Sequence, residues 1–152
     1  MMSKVLVSIL YIMIGLIAST NQSVFAGSLS LRTGPQQLGN GGSYPLFIPP
    51  ASHQMALTWV TDSGFESTLS LYPGLLFGKR FQSQGLFLSL GGGLIISYAA
   101  GPGIYSTFGY ETGSGSGGWH FTADYTQALG IDSSTKKYIA PSSMRLGVLW
   151  RY

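Results

Sequence analysis

Few residues in this sequence could do chemistry. Cysteine is absent, which excludes a thiolate nucleophile, thiolate metal ligands, a disulfide framework and a lipidated N-terminal cysteine. The histidines His53 and His120 are far apart and no carboxylates cluster beside them, so a metal has little to bind. The spacing that could serve hydrolysis is His120 with Asp124. In that scheme His120 is the base, Asp124 its orienter, and Ser106 or Ser143 the nucleophile. On a strand, however, positions i and i+4 lie about 13 Å apart, from a rise near 3.3 Å per residue, too far for a direct bond. The favoured reading is instead a buried polar network. In it Arg80, Glu111, His120, Asp124, Arg145 and Arg151 offset one another's desolvation. Gly74 to Arg80 has a superficial likeness to a phosphate loop, but its spacing is one residue short and no Ser or Thr follows Lys79, so it reads as strand. Lys136 and Lys137 form a cationic loop tip that could touch anionic headgroups. No cofactor is implied.

The elements that must position these residues begin after a leader. Lys4 precedes an apolar run from Val5 to Ala18, which is short for a membrane-spanning helix. Val24-Phe25-Ala26 fits the small-x-small cleavage rule. Residues 1–26 therefore read as a cleaved signal peptide and 27–152 as one mature domain. Loss of Lys4 lowers the formal charge from +3 to +2, which gives nucleic-acid binding no support. Charged residues make up only 9% of the chain, against about 25% in ordinary soluble domains. A charged soluble surface cannot be built from so few. With aromatics at 13%, disorder is excluded as well.

The mature chain alternates with a period of two, the mark of strands. Leu86, Leu88, Leu90, Gly92, Leu94, Ile96 and Tyr98 share one parity, with Gly85, Phe87, Ser89, Gly91, Gly93, Ile95 and Ser97 opposite. Trp119, Phe121, Ala123 and Tyr125 alternate with His120, Thr122, Asp124 and Thr126. Met144, Leu146, Val148, Trp150 and Tyr152 alternate with Ser143, Arg145, Gly147, Leu149 and Arg151. Two architectures use such a pattern. A soluble sandwich turns the apolar face inward. A membrane barrel turns it toward lipid and lines its lumen with small and polar residues. The barrel is favoured, because the apolar faces of three strands carry no charge and aromatics gather near strand ends.

The segment Met144 to Tyr152 resembles the C-terminal signature of bacterial outer-membrane β-barrels, an alternating strand that ends on an aromatic residue. Leu86 to Tyr110, with Gly91-Gly92-Gly93 and Gly101-Pro102-Gly103, resembles small barrels of the OmpA/OmpX-like class. The resemblance covers roughly Gln54 to Tyr152 and implies a transmembrane antiparallel up-and-down β-barrel in the bacterial outer membrane. It also implies recognition of Trp150, Tyr152 and their strand by the barrel assembly machinery. The expected partners are outer-membrane lipid and lipopolysaccharide, and the expected state is a monomer. The expected role is structural, or surface interaction through the loop that carries Lys136 and Lys137, without an open pore. The alternatives are a lipid-modifying enzyme of lipid A deacylase type, a narrow porin-like channel, and a secreted soluble β-sandwich. The deacylase pattern of His-x-Ser with a downstream Glu is not met, since the chain reads His120-Phe121-Thr122 and no Glu follows Glu111.

Eight strands are expected, the even minimum for single-chain bacterial barrels. Six are clear, at 54–61, 67–81, 85–98, 103–112, 118–128 and 143–152. Weak strands near 27–33 and 43–48 complete the count if 67–81 is unbroken. The other choice splits 67–81 at Tyr72-Pro73-Gly74. The unbroken strand is preferred because it keeps Leu75, Phe77 and Phe81 on one face. Counting back from Tyr152 then puts the 129–142 loop, the 99–103 turn and the 62–65 turn at one end. Gln82–Gly85 and Gly113–Gly118 fall at the other, with the termini.

Overall fold

The alternating segments form strands, and no helix occurs among the described residues. The computed structural model describes residues 27–37, 52–70, 73–97, 99–113 and 117–152. The strands are β1 (Ser28–Gln37), β2 (Ser52–Val60), β3 (Phe65–Ser70), β4 (Gly74–Ser83), β5 (Leu86–Ile96), β6 (Ala100–Glu111), β7 (Gly118–Ile131), β8 (Tyr138–Ile139) and β9 (Ser142–Arg151). Consecutive strands pair antiparallel from β1 to β7, β7 pairs with β9, and β9 closes onto β1. The result is an all-β, antiparallel, closed eight-stranded barrel. β8 pairs with β7 in the same register as β9 and continues the line of that strand beyond a break at Ala140 and Pro141.

One row of partners runs around the barrel as Gly130, Gly103, Gly93, Leu76, Thr68, Thr58, Ser30, Leu149 and His120. It returns to β7 displaced by 130 − 120 = 10 residues. With eight strands about 4.8 Å apart, this stagger tilts the strands by roughly 40° and sets a backbone radius of about 8 Å. Side chains alone fill an interior of that width.

The pleat sorts the sequence into two surfaces. Leu29, Leu31, Met55, Leu57, Trp59, Phe77, Phe121, Met144 and Leu146 point outward and are exposed. Ser30, Arg32, Thr58, Glu66, Thr68, Arg80, Ser89, Thr107, Asp124, Thr126 and Arg145 point inward and are buried. Leu88 is outward by parity yet buried, because Phe81 and Phe108 flank it in the register. Closure by β9 onto β1, with the apolar face outward, contradicts the sandwich alternative.

The preferred allocation of strands is corrected at three places. Residues 67–81 are not one strand: β3 and β4 form a hairpin with residues 71–73 between them. Pro73 cannot donate to a ladder, and Gly74 adopts a positive φ of 124°, where a side chain is strained. The Ser70 hydroxyl braces the turn by donating to the Gly74 carbonyl at 3.1 Å. Leu69 pairs with Leu75 across five intervening residues, an odd number, so both remain outward. The second correction follows from the first. Ser28 lies opposite both Val60 and Arg151, so the Thr61–Gly64 turn sits at the same end as the termini, not opposite them. Third, β7 continues to Ile131, and β6 already begins at Ala100, so the loops there are shorter than expected. The expected leader at 1–26 and the expected weak strand at 43–48 lie outside the described residues.

Candidate functional site

The charged groups that the strands turn inward meet in the lumen. All four arginines of the chain are there, and the stagger brings together residues distant in sequence. Arg32 on β1 donates through Nη1 to Asp124 Oδ2 on β7 at 2.7 Å. Arg145 on β9 donates through Nε to Asp124 Oδ1 at 2.7 Å and through Nη2 to the Thr126 hydroxyl at 2.6 Å. Arg80 on β4 donates through Nε to Glu66 Oε2 at 2.7 Å and also pairs with Glu111 Oε1. Arg151 Nη2 reaches Glu111 Oε2 at 3.0 Å, and Ser89 donates to Glu66 at 2.7 Å. Arg32 Nη2 lies 3.7 Å from Glu111 Oε1, which links the two groups.

An aromatic ring sits within this charge. Phe87 is fully buried, with the Arg80 guanidinium 3.9 Å from its ring centroid and that of Arg32 5.4 Å away. A cation over a desolvated ring face is attracted by the ring quadrupole. Gly109 makes room for it, since a Cβ there would lie 2.5 Å from Phe87 Cζ. Five of the six residues named from sequence therefore belong to the chain of ion pairs. Arg32 and Glu66 also belong to it and were not singled out. Their signal was present: each is the single charge at an inward position of its strand, among Ser28, Ser30 and Gly34 on β1 and beside Thr68 and Ser70 on β3.

His120 is not part of the chain. It pairs across the ladder with Leu149, and its buried Nε2 has no hydrogen-bond partner. Both Asp124 oxygens are taken by arginines, so Asp124 does not orient His120. Ser143 is buried in the lumen, whereas Ser106 has the outward parity of Ile104 and Phe108. The groups suggested for hydrolysis thus do not converge. Among the described residues, no group of three His, Asp or Glu side chains could hold a metal ion.

The end opposite the termini is closed differently. Leu76, Ile95, Tyr105, Ala128 and Ile139 form a buried apolar cluster there. Ile139 comes from β8, so the β7–β9 connection supplies one of its own residues to the lumen. The same connection holds a polar knot at Asp132. Hydrogen bonds from the Thr135 hydroxyl and the Ser134 amide hold the Asp132 carboxyl down to about 2. Lys136 and Lys137 are exposed at the tip of this connection.

The outer surface near the termini is aromatic. Trp59 Nε1 donates to the Tyr152 hydroxyl at 2.6 Å, and Trp119 meets Trp150 edge to face at 5.3 Å. All three tryptophans of the chain lie in this belt. Among the described strand residues, Lys79 is the one charged side chain with outward parity. Its ammonium donates to the Ser63 carbonyl in the turn at the terminal end.

Fold and site together define an inside-out barrel, with charge within and hydrocarbon without. Comparison with protein-family models, curated proteins and solved structures gives no match to this chain.

Proposed function

We propose that the mature chain is an integral β-barrel of the bacterial outer membrane, with a structural or surface-interaction role and no open pore. One observation carries this reading: the exposed surface of the barrel is apolar while its charges are buried. In water each exposed Leu, Met or Phe would forgo burial at about 25 cal/mol per Å². Against lipid the same surface is already in its preferred medium. The dimensions support the reading. Strands of ten residues such as β4 and β9, tilted by roughly 40°, stand about 25 Å tall, the height of a barrel's apolar band. The tryptophan belt suits one membrane–water interface, and Lys79 snorkels toward that end. A lumen filled by Phe87, the arginines and an apolar plug favours a closed barrel over the channel alternative.

In this reading residues 1–26 direct export, and the strand ending in Trp150 and Tyr152 is presented to the barrel assembly machinery. Outer-membrane lipid surrounds the wall of a monomer, and Lys136 and Lys137 face the lipopolysaccharide layer. Refolding the purified chain into vesicles that carry brominated acyl chains tests the embedding. Bromines near the headgroups should quench the three tryptophans more strongly than bromines near the bilayer centre. Fluorescence unaffected by bromines at either depth would overturn the proposal.

A further inference from the structure

The upper part of the charge chain is unbalanced. Arg32 and Arg145 share the single carboxylate of Asp124. The other acids near Arg32 are already engaged: Glu111 pairs with Arg80 and Arg151 and accepts no hydrogen bond from Arg32, and Glu66 pairs with Arg80. All these groups are buried. A buried charge without its counter-charge is among the costliest things a protein can hold.

Beside this pair lies a set of buried polar atoms without a hydrogen-bond partner. They are Arg145 Nη1, Arg32 Nη2, both amide atoms of Gln54, and the Ser143 hydroxyl. The register places these residues side by side. Gln54 pairs with Gly34 across β1 and β2, and a Cβ at Gly34 would lie 2.9 Å from the Arg145 Cα. Gly34, where a Cβ would collide with the Met144 carbonyl, lets the β9 backbone approach closely and places no side chain between Gln54 and Arg145. Ser143 precedes Arg145 by two residues on the same inward face, opposite Thr126. Buried polar groups in native proteins nearly always find a partner. Here the guanidinium N–H groups, the amide NH₂ and the hydroxyl can all donate, and the local charge is positive.

We propose that these residues bind one small monovalent anion of chloride's class inside the barrel. The anion balances the second guanidinium and accepts the orphaned donors of Arg145, Gln54 and Ser143. The site depends on the closed barrel and not on where the barrel resides, so it stands or falls separately from the membrane assignment. The full mature chain, purified in a non-denaturing detergent, is unfolded with urea at fixed ionic strength while chloride replaces gluconate, which is too large to enter. Above saturation the unfolding constant should fall about tenfold for each tenfold rise in chloride. Arg145→Met removes the excess charge and should abolish the dependence. Gln54→Leu should weaken it, and Lys136→Gln, in the distant loop, should leave it intact. Where the lumen variants fail to fold, crystals of the unaltered protein grown in bromide decide. An anomalous peak among Gln54, Ser143 and Arg145 supports the site. Equal stability in chloride and gluconate, or no bromide at that position, overturns it.

Discussion

Replacing Asp124 by Asn isolates the energetic role of the lumen. The carboxylate is fully buried and faces two guanidiniums, at 2.7 Å from Arg32 and at 2.6 Å from Arg145. Asparagine keeps the shape and one acceptor oxygen but removes the charge. Breaking a buried pair by neutralising one partner costs about 3–5 kcal/mol. Two partial compensations survive, since Arg145 keeps the Thr126 hydroxyl and Arg32 keeps that of Ser30. The loss should therefore fall at the lower end, about 3 kcal/mol, or roughly 150-fold in the folding constant. Urea titration of the vesicle-refolded barrel, scored by the fraction migrating as the compact form on unheated gels, measures it. Adding Arg145→Met to Asp124→Asn removes one surplus guanidinium and should restore part of the loss. The exposed turn residue Asp62 provides the control, and Asp62→Asn should change stability by less than about 0.5 kcal/mol. A loss below about 1 kcal/mol for Asp124→Asn would refute the reasoning, because it would mean the lumen charges remain hydrated.

Three further outcomes are expected. Leu146, outward on β9 and 65% exposed, should tolerate Arg badly, with a loss of about 2–4 kcal/mol in a bilayer and almost none if the wall faced water, read by equilibrium unfolding from vesicles. Gly109→Ala should cost about 1–3 kcal/mol by the same assay, since the new methyl lies 2.5 Å from both Phe87 Cζ and the Ala123 carbonyl; unchanged stability would contradict that packing. For Asp132 the folded value is depressed from 3.8 to about 2, so its stabilisation of the loop is complete above the unfolded value and is lost as pH falls through the folded one. Pepsin cleavage within 132–141 should therefore rise between about pH 4 and pH 2, beyond the enzyme's own pH profile, and Asp132→Asn should remove that step.

Period-two alternation carried most of the fold, because in a closed barrel the two faces of every strand meet different media. It could not reveal the β3–β4 hairpin. An odd number of residues between Leu69 and Leu75 preserves parity, so an unbroken strand and this hairpin look alike on the outward face. A two-residue turn at Pro73-Gly74 would flip Leu76 and Arg80 outward, so a split there looks unfavourable from the sequence. The end at which the 61–64 turn lies was misplaced for the same reason. In the site, inward parity identified which side chains enter the lumen but not which ones meet. Arg32 and Asp124 are 92 residues apart, and the ten-residue stagger, a property of the whole ring, brings them into contact. His120 shows the converse: its parity matches Asp124, yet Arg32 and Arg145 take both Asp124 oxygens and leave His120 outside the ion pairs.

The central claim is that this barrel carries its hydrocarbon on the outside because it spans a membrane. The most direct test is to express the full chain in a Gram-negative host, separate outer membranes from soluble periplasm, and compare unheated with boiled samples on SDS gels. The account expects the protein in the membrane fraction, resistant to urea extraction, with an unheated band that migrates faster than the boiled one. Protein found soluble in the periplasm, with no difference between the two bands, would contradict it.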